Sequence, residues 1–220
     1  ALKRNLGVEK SKGEILAFID DDAYPDKDWL NNSLKYFSDN SIGALGGPNL
    51  TPPNDTILQK VSGEILASPL TGRSSIRYKI WKKPISVLEL PSCNLLVKKD
   101  IFLKTSKYDP ELLTAEDSKL CFEINEMNKK VLYVPDVIVY HHRRKIFKPH
   151  LRQMFIYARD IAWLIKKDFE IDKLYYTILT LFVFYLIFGF ITSFFSNIIR
   201  TIYIYSIIIY LIITALSSFY

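Results

Sequence analysis

Lys12-Gly13-Glu14-Ile15-Leu16-Ala17-Phe18-Ile19-Asp20-Asp21-Asp22 is the stretch on which the fold turns. Residues 14–19 form a short, mostly apolar run of the length of a buried strand, and the run delivers three aspartates at its C-terminal end. Adjacent like charges raise one another's pKa, so three carboxylates at a strand end call for a cation. Alternate residues of an extended chain point to opposite sides, which puts Asp20 and Asp22 together and turns Asp21 away. In open α/β sheets ligands bind beyond the carboxyl ends of the strands. Two carboxylates there suit a hard divalent ion that keeps several waters and meets substrate phosphates. An acidic solvated turn before a helix N-terminus uses the same residues, and spacing alone leaves both readings open.

Outward from this stretch, helical and strand signals alternate, which predicts an α/β layer architecture. Residues 1–10 read as the end of a helix that Gly7 stops, in a piece of a longer protein. Pro25-Asp26 predicts a helix start with Asp26 as cap, and Ile42–Leu50 a strand weakened at Gly46-Gly47. A helix over 56–67 follows, then an irregular basic connection from Ser68 to Pro91, of a length more common in functional loops than in filler. Asn94–Val97 reads as a strand, Asp117–Lys129 as an amphipathic helix, and Val131–Tyr140 as one or two strands broken at Pro135.

A second acidic point, Glu116-Asp117, opens that amphipathic helix. It is either a helix cap or a pair able to hold a general base. His141-His142 ends the sheet region, where His141 could meet a metal or a diphosphate. Arg143-Arg144-Lys145 could likewise meet a diphosphate, or form a basic collar facing a membrane. Cys93 and Cys121 make no metal or disulfide spacing and read as reduced structural thiols.

Charge is sharply partitioned. Of 52 charged side chains, all but Arg200 lie in residues 1–173. The uncharged runs 174–194 and 201–220 have the length of bilayer-spanning helices, joined by a turn over 195–200. Residues 143–167 hold eight Lys/Arg against the single acid Asp160, so the positive-inside rule puts the N-terminal part on the cytoplasmic face of a multi-pass protein. Residues 151–165 carry apolar side chains at helical spacing and read as an interfacial helix or as a packing helix. The net charge of +6 is accounted for by lipid headgroups and requires no nucleic acid.

In this order, these residues resemble the family-2 glycosyltransferases. The resemblance runs from Arg4-Asn5-Leu6-Gly7 through residues 12–22 and Pro25-Asp26-Lys27-Asp28-Trp29-Leu30. It continues at residues 42–47, Ser92-Cys93-Asn94-Leu95-Leu96-Val97-Lys98-Lys99, Glu116-Asp117, His141-His142, Leu151-Arg152-Gln153 and Tyr157-Ala158-Arg159, and so covers about residues 1–165. It implies a GT-A fold, Rossmann-like with a mixed central sheet, as a catalytic domain over 1–145. An interfacial helix and collar over 146–173 and a two-helix transmembrane hairpin over 174–220 would follow. It implies inverting transfer of one sugar from a nucleotide-diphosphate sugar to a lipid-linked or cell-surface glycan acceptor, with Mg²⁺ or Mn²⁺. By the same resemblance Asp20 and Asp22 hold the metal, and Asp20 and Asp21 lie against the donor diphosphate. Asp117 is the base, with Glu116 its partner. Arg4 and Asn5 line the nucleotide pocket, Asn94 lies on the acceptor side, and His141 is a further ligand. Two departures stand out: the family's first strand is absent from this sequence, and the Gln-x-x-Arg-Trp signature of processive synthases is missing after Gln153. A metal-dependent nucleotidyltransferase and a non-catalytic membrane scaffold are the competing readings of the acids.

Overall fold

A computed structural model describes residues 1–112, 114–167 and 177–217. The chain divides into two compact units, Ala1–Ala67 with Thr71–Asp160, and Ser68–Leu70 with Ile161–Tyr220.

The first unit is a mixed five-stranded sheet beside a small three-stranded one. Its elements are α1 (Leu2–Lys10), β1 (Ile15–Phe18), β2 (Ala23–Pro25), α2 (Trp29–Leu34), β3 (Ile42–Gly46), β4 (Asn49–Leu50) and α3 (Ile57–Ala67). They continue with β5 (Ile85–Val87), β6 (Leu95–Lys98), α4 (Lys99–Phe102), α5 (Glu116–Glu126), β7 (Lys130–Tyr133), β8 (Val139–His141) and α6 (Lys148–Lys167), whose residues from Ile161 on belong to the second unit. The larger sheet runs β1-β6-β3-β7-β5, with only β3 and β7 parallel. The smaller runs β2-β8-β4.

The pleat of β6 sorts the core into two layers. Leu95 and Val97 face Leu16, Phe102, Tyr108 and the α5 residues Leu120 and Ile124. Leu96 faces the opposite way, with Trp29, Leu45 and Val139. A register shift between Ile42 and Ala44 sends Ile42 to the Trp29 layer and Ala44 to the other.

Several local expectations are corrected. Helix α1 runs through Gly7 to Lys10, because one exposed glycine costs only about 1 kcal/mol against the rest of a helix. Strand β1 lies at an edge of the described sheet, with Leu16 buried and Ala17 exposed, rather than inside it. Helix α2 begins at Trp29, and Asp26 instead makes a local turn, accepting from the Asp28 amide at 3.2 Å. The strand expected over 42–50 is two strands in two sheets. The chain crosses at Gly46-Gly47, where a Cβ on Gly47 would run into the carbonyls of Val134 and Val137.

In the second unit α7 (Thr177–Thr192) packs on α8 (Asn197–Ser217). Gly189 lies against the Tyr203 ring, 2.7 Å from a would-be Cβ, and the Tyr203 hydroxyl donates to the Leu186 carbonyl at 3.1 Å. Among the described residues α8, of 21 residues, is the one helix long and apolar enough to cross a bilayer, with a mean hydropathy of 2.0 in an 18-residue window. Helix α7 has 16 residues, roughly 24 Å against a core of about 30 Å. The described residues thus bear one helix of spanning length, and the expected two-helix hairpin is not confirmed. Residues 174–176 and 218–220 of the expected spans lie outside the described residues. Arg200, expected in the connecting turn, belongs to the first turns of α8.

Candidate active site

Asp20 follows β1, and Asp22 leads into β2. Because β2 pairs antiparallel with β8, Ala23 stands opposite His141. The small sheet thus carries His141 across 119 residues to within 3.0 Å, Nε2 to the Asp22 Oδ1. One ligand atom from each of Asp20, Asp22 and His141 falls within 4.8 Å of the others. Adjacent ligands of a Mg²⁺ ion stand about 3.0 Å apart, so Asp22 and His141 already have the spacing of neighbouring ligands, and a side-chain movement of Asp20 toward them would complete a donor set that fits a divalent cation. Burial, then the Arg143 charge, push the His141 pKa down against the pull of Asp22 and Asp20. That favours the neutral imidazole, the form that can ligate a metal. Asp21 lies in the turn and is exposed.

Arg4, on α1, joins this cluster to the second acidic point. One guanidinium nitrogen reaches the Asp20 Oδ1 at 2.5 Å and the other the Glu116 Oε1 at 2.8 Å. The guanidinium carbon lies 5.3 Å from the centroid of the Tyr108 ring. Two acid groups nearly a hundred residues apart are thereby held by one fork-shaped cation, a geometry suited to arginine.

The residue before Glu116, Ala115, sits at φ 62, a left-handed conformation that costs an alanine roughly 1–2 kcal/mol. Asp117 accepts from the Ser92 amide at 3.0 Å and the Ser118 amide at 2.9 Å. Burial, then the charge of Glu89, raise the Asp117 pKa; Arg77 and the two amides oppose them without cancelling them. Burial, then Asp117 itself, raise Glu116. A carboxylate pair held with enhanced proton affinity is what a general base requires.

Other expected site residues are committed elsewhere. The Asn5 side chain exchanges two hydrogen bonds with the Tyr108 backbone, at 2.8 and 3.2 Å, and so fixes the Tyr108 loop. Asn94 is fully buried: it accepts from the Trp29 indole at 2.8 Å and donates to the carbonyls of Val137 at 2.8 Å and Pro48 at 3.3 Å. With both amide hydrogens in use, its side chain ties Trp29 to the Pro48 and Val137 carbonyls. Arg143 is no membrane-facing collar residue. It is buried, bonds the Asn49 carbonyl and the Thr51 hydroxyl, and lies 4.9 Å over the Tyr78 ring.

The sequence reading missed Arg77 and Glu89, the ion pair behind Asp117. Glu89 keeps one buried carboxylate oxygen without a hydrogen-bond partner among the described residues. Its signal was present: Glu89 is the single acid in the basic stretch 68–91. Cys93 and Cys121 are buried free thiols, pushed up by burial and chemically quiet.

These features are those of a GT-A-like domain, and a solved mannosyltransferase from Pyrobaculum calidifontis, in complex with GDP-mannose and Mn²⁺, shares the fold. Its TM-score is 0.53 at 18% identity, covering 79% of this chain and 46% of that one. Residues 1–102 match the family described as glycosyl transferase family 2. Glycosyltransferase AglE of Haloferax volcanii is 25% identical over 173 residues, 77% of this chain and 48% of that protein. A Methanococcus voltae protein, the dolichyl N-acetyl-α-D-glucosaminyl phosphate 3-β-D-2,3-diacetamido-2,3-dideoxy-β-D-glucuronosyltransferase, is 20% identical over 212 residues, 93% of this chain and 62% of its own length. The chain thus spans about half to two-thirds of the length of these two curated relatives. Over residues 1–102, then, the chain is similar to the family-2 glycosyltransferases, and the fold and the curated relatives agree with that match.

Proposed function

We propose that this chain transfers a single sugar, with inversion, from a nucleoside-diphosphate sugar to a hydroxyl of a lipid-linked glycan, at the cytoplasmic face of a membrane. The observation that carries the reading is the Arg4 clasp, which sets the Asp20–Asp22–His141 cluster and the Glu116-Asp117 helix start on either side of one guanidinium. In this reading the acceptor oxygen attacks the anomeric carbon as Asp117 takes its proton. The bond to the diphosphate breaks on the opposite face, and its electron pair leaves with the diphosphate oxygen. The Ser92 and Ser118 amides hold Asp117 in place, and Glu116, its partner, is held by Arg4; a base so positioned contributes about 10²–10⁴-fold. A bound Mg²⁺ or Mn²⁺, held by Asp20, Asp22 and His141, supplies positive charge for the departing diphosphate. Arg4 keeps a cation beside the same acids when donor is absent.

Three things support the acceptor and the location. The Methanococcus voltae relative bears the name of a transferase acting on a dolichyl-phosphate-linked sugar. Helix α8 has spanning length. Arg144, Lys145, Lys148, Arg152 and Arg159 are exposed basic groups upstream of it, and α6 is amphipathic, as interfacial helices are.

The test is release of nucleoside diphosphate from a panel of nucleotide sugars by membranes carrying the chain within its natural protein, with polyprenyl-phosphate-linked acceptors. Asp117→Asn should abolish release while sparing donor binding, and near-full turnover would remove Asp117 from the role. Pyrophosphate release would instead indicate nucleotidyl transfer, and failure to bind either metal or nucleotide sugar would leave a scaffold.

A further inference from the structure

Two helices of the first unit are inside out. On α3 the inward positions are Ser62, Gly63 and Ala67, all small and buried, while the large apolar Ile57, Val61 and Ile65 face outward at helical spacing. Ile57 is 77% exposed. On α6 up to Asp160, the buried positions are His150 and Asp160, while Leu151 and Phe155 are 67% and 69% exposed. A water-facing helix shows the reverse arrangement. Polar bonds tie α3 to α6 and to the segment just before it. Ser62 Oγ lies 2.7 Å from His150 Nδ1, Gln59 donates to the Arg143 carbonyl at 2.8 Å, and the Ile146 amide donates to the Leu58 carbonyl at 3.2 Å. Between them Phe147 is held at φ 75, a conformation rare for a bulky residue, with its side chain 69% exposed. An aromatic fixed outward against its backbone preference points at something apolar.

We infer that α3 and the N-terminal half of α6 form one membrane-docking face, seated at the headgroup boundary of an anionic bilayer. This rests on the membrane attachment proposed above and adds to it a helix, α3, from the middle of the catalytic unit. Charge complementarity selects the occupant. Exposed Lys60, Arg144, Lys145, Lys148 and Arg152 surround the apolar positions, residues 144–159 contain no acid, and Glu64 is the one acid of α3. Cations beside an apolar helix face suit anionic lipid. The same chain also carries the apolar α8, none of it buried. The consequence is geometric: docking through α3, which follows β4 directly, holds the unit at the surface by two elements and limits its rotation about α6.

The test uses the full chain in vesicles of equal parts phosphatidylcholine and phosphatidylglycerol, with an environment-sensitive fluorophore on a cysteine placed at Val61, Phe155, Leu34 or Ile209. Native Cys93 and Cys121 are buried and so shielded from label. With nitroxide lipid probes at shallow and deep positions, Val61→Cys and Phe155→Cys should shift to the blue and be quenched by the shallow probe. Leu34→Cys on α2 should do neither, and Ile209→Cys on α8 should be quenched by the deep probe. Quenching at Ile209 without quenching at Val61 and Phe155 overturns the docking face and leaves membrane attachment standing. A blue shift without quenching means a protein surface, such as a second copy, covers the face, and also overturns it. Loss of quenching at all sites overturns both readings.

Discussion

Replacing Asn94 by leucine separates a frame role from a ligand role. The two side chains are similar in size, so the substitution removes hydrogen bonds without opening a large cavity. It strands the Trp29 indole N–H, now 2.8 Å from an acceptor, and the carbonyls of Val137 and Pro48. A buried donor or acceptor left unpaired costs about 1–3 kcal/mol, and carbonyls tolerate the loss better than N–H groups. The three together give roughly 3–5 kcal/mol. For a domain of this size each kcal/mol moves the melting temperature by about 2–4 °C, so the expected fall is roughly 6–20 °C. Thermal melts of the detergent-purified chain, followed by tryptophan fluorescence, read this directly. Trp29→Phe removes the stranded donor, so the double substitution should cost less than the sum of the two singles by about 1 kcal/mol. An unchanged midpoint together with weakened nucleotide-sugar binding would refute the reasoning and return Asn94 to the ligand wall.

The pH dependence of transfer follows from the acids behind Asp117. Its carboxyl is raised by burial and by Glu89, and only the deprotonated form can take a proton, so kcat/KM should fall on the acid side at a pH above the usual carboxylate range. Glu89→Gln removes a raising charge and should move that limb to lower pH; Arg77→Gln removes a lowering one and should move it up. A limb that stays put in both variants would detach the pair from Asp117. For the metal, His141→Ala should weaken Mn²⁺-dependent donor binding about 10–100-fold, the range seen when a group supporting a metal site is lost, while Asp117→Asn leaves it unchanged in the same titration.

How much of this was legible in the sequence depends on the distance over which each feature is encoded. Strand β1 and its aspartates, helix α3, strand β6 and helix α5 each carry their own local signal, apolar period or helix start, and all four were read within a few residues of their bounds. What sequence could not show is pairing. Strands β2, β4 and β8 have two or three residues each, too short for an alternation to register. Yet their pairing alone brings His141 to Asp22. The contacts of Asn94, Arg143 and Asn5 were hidden for a related reason. A polar side chain beside a motif is ambiguous until its partners are known, and theirs lie 43 to 103 positions away. The outward apolar faces of α3 and α6 show the converse. Their periodicity was visible, but periodicity gives a stripe without saying which way it faces. Only the buried Ser62–His150 contact on the polar side reveals that both stripes point away from the core. In this chain, then, motifs locate the chemistry, while long-range polar contacts decide which polar residues serve it and which hold the frame.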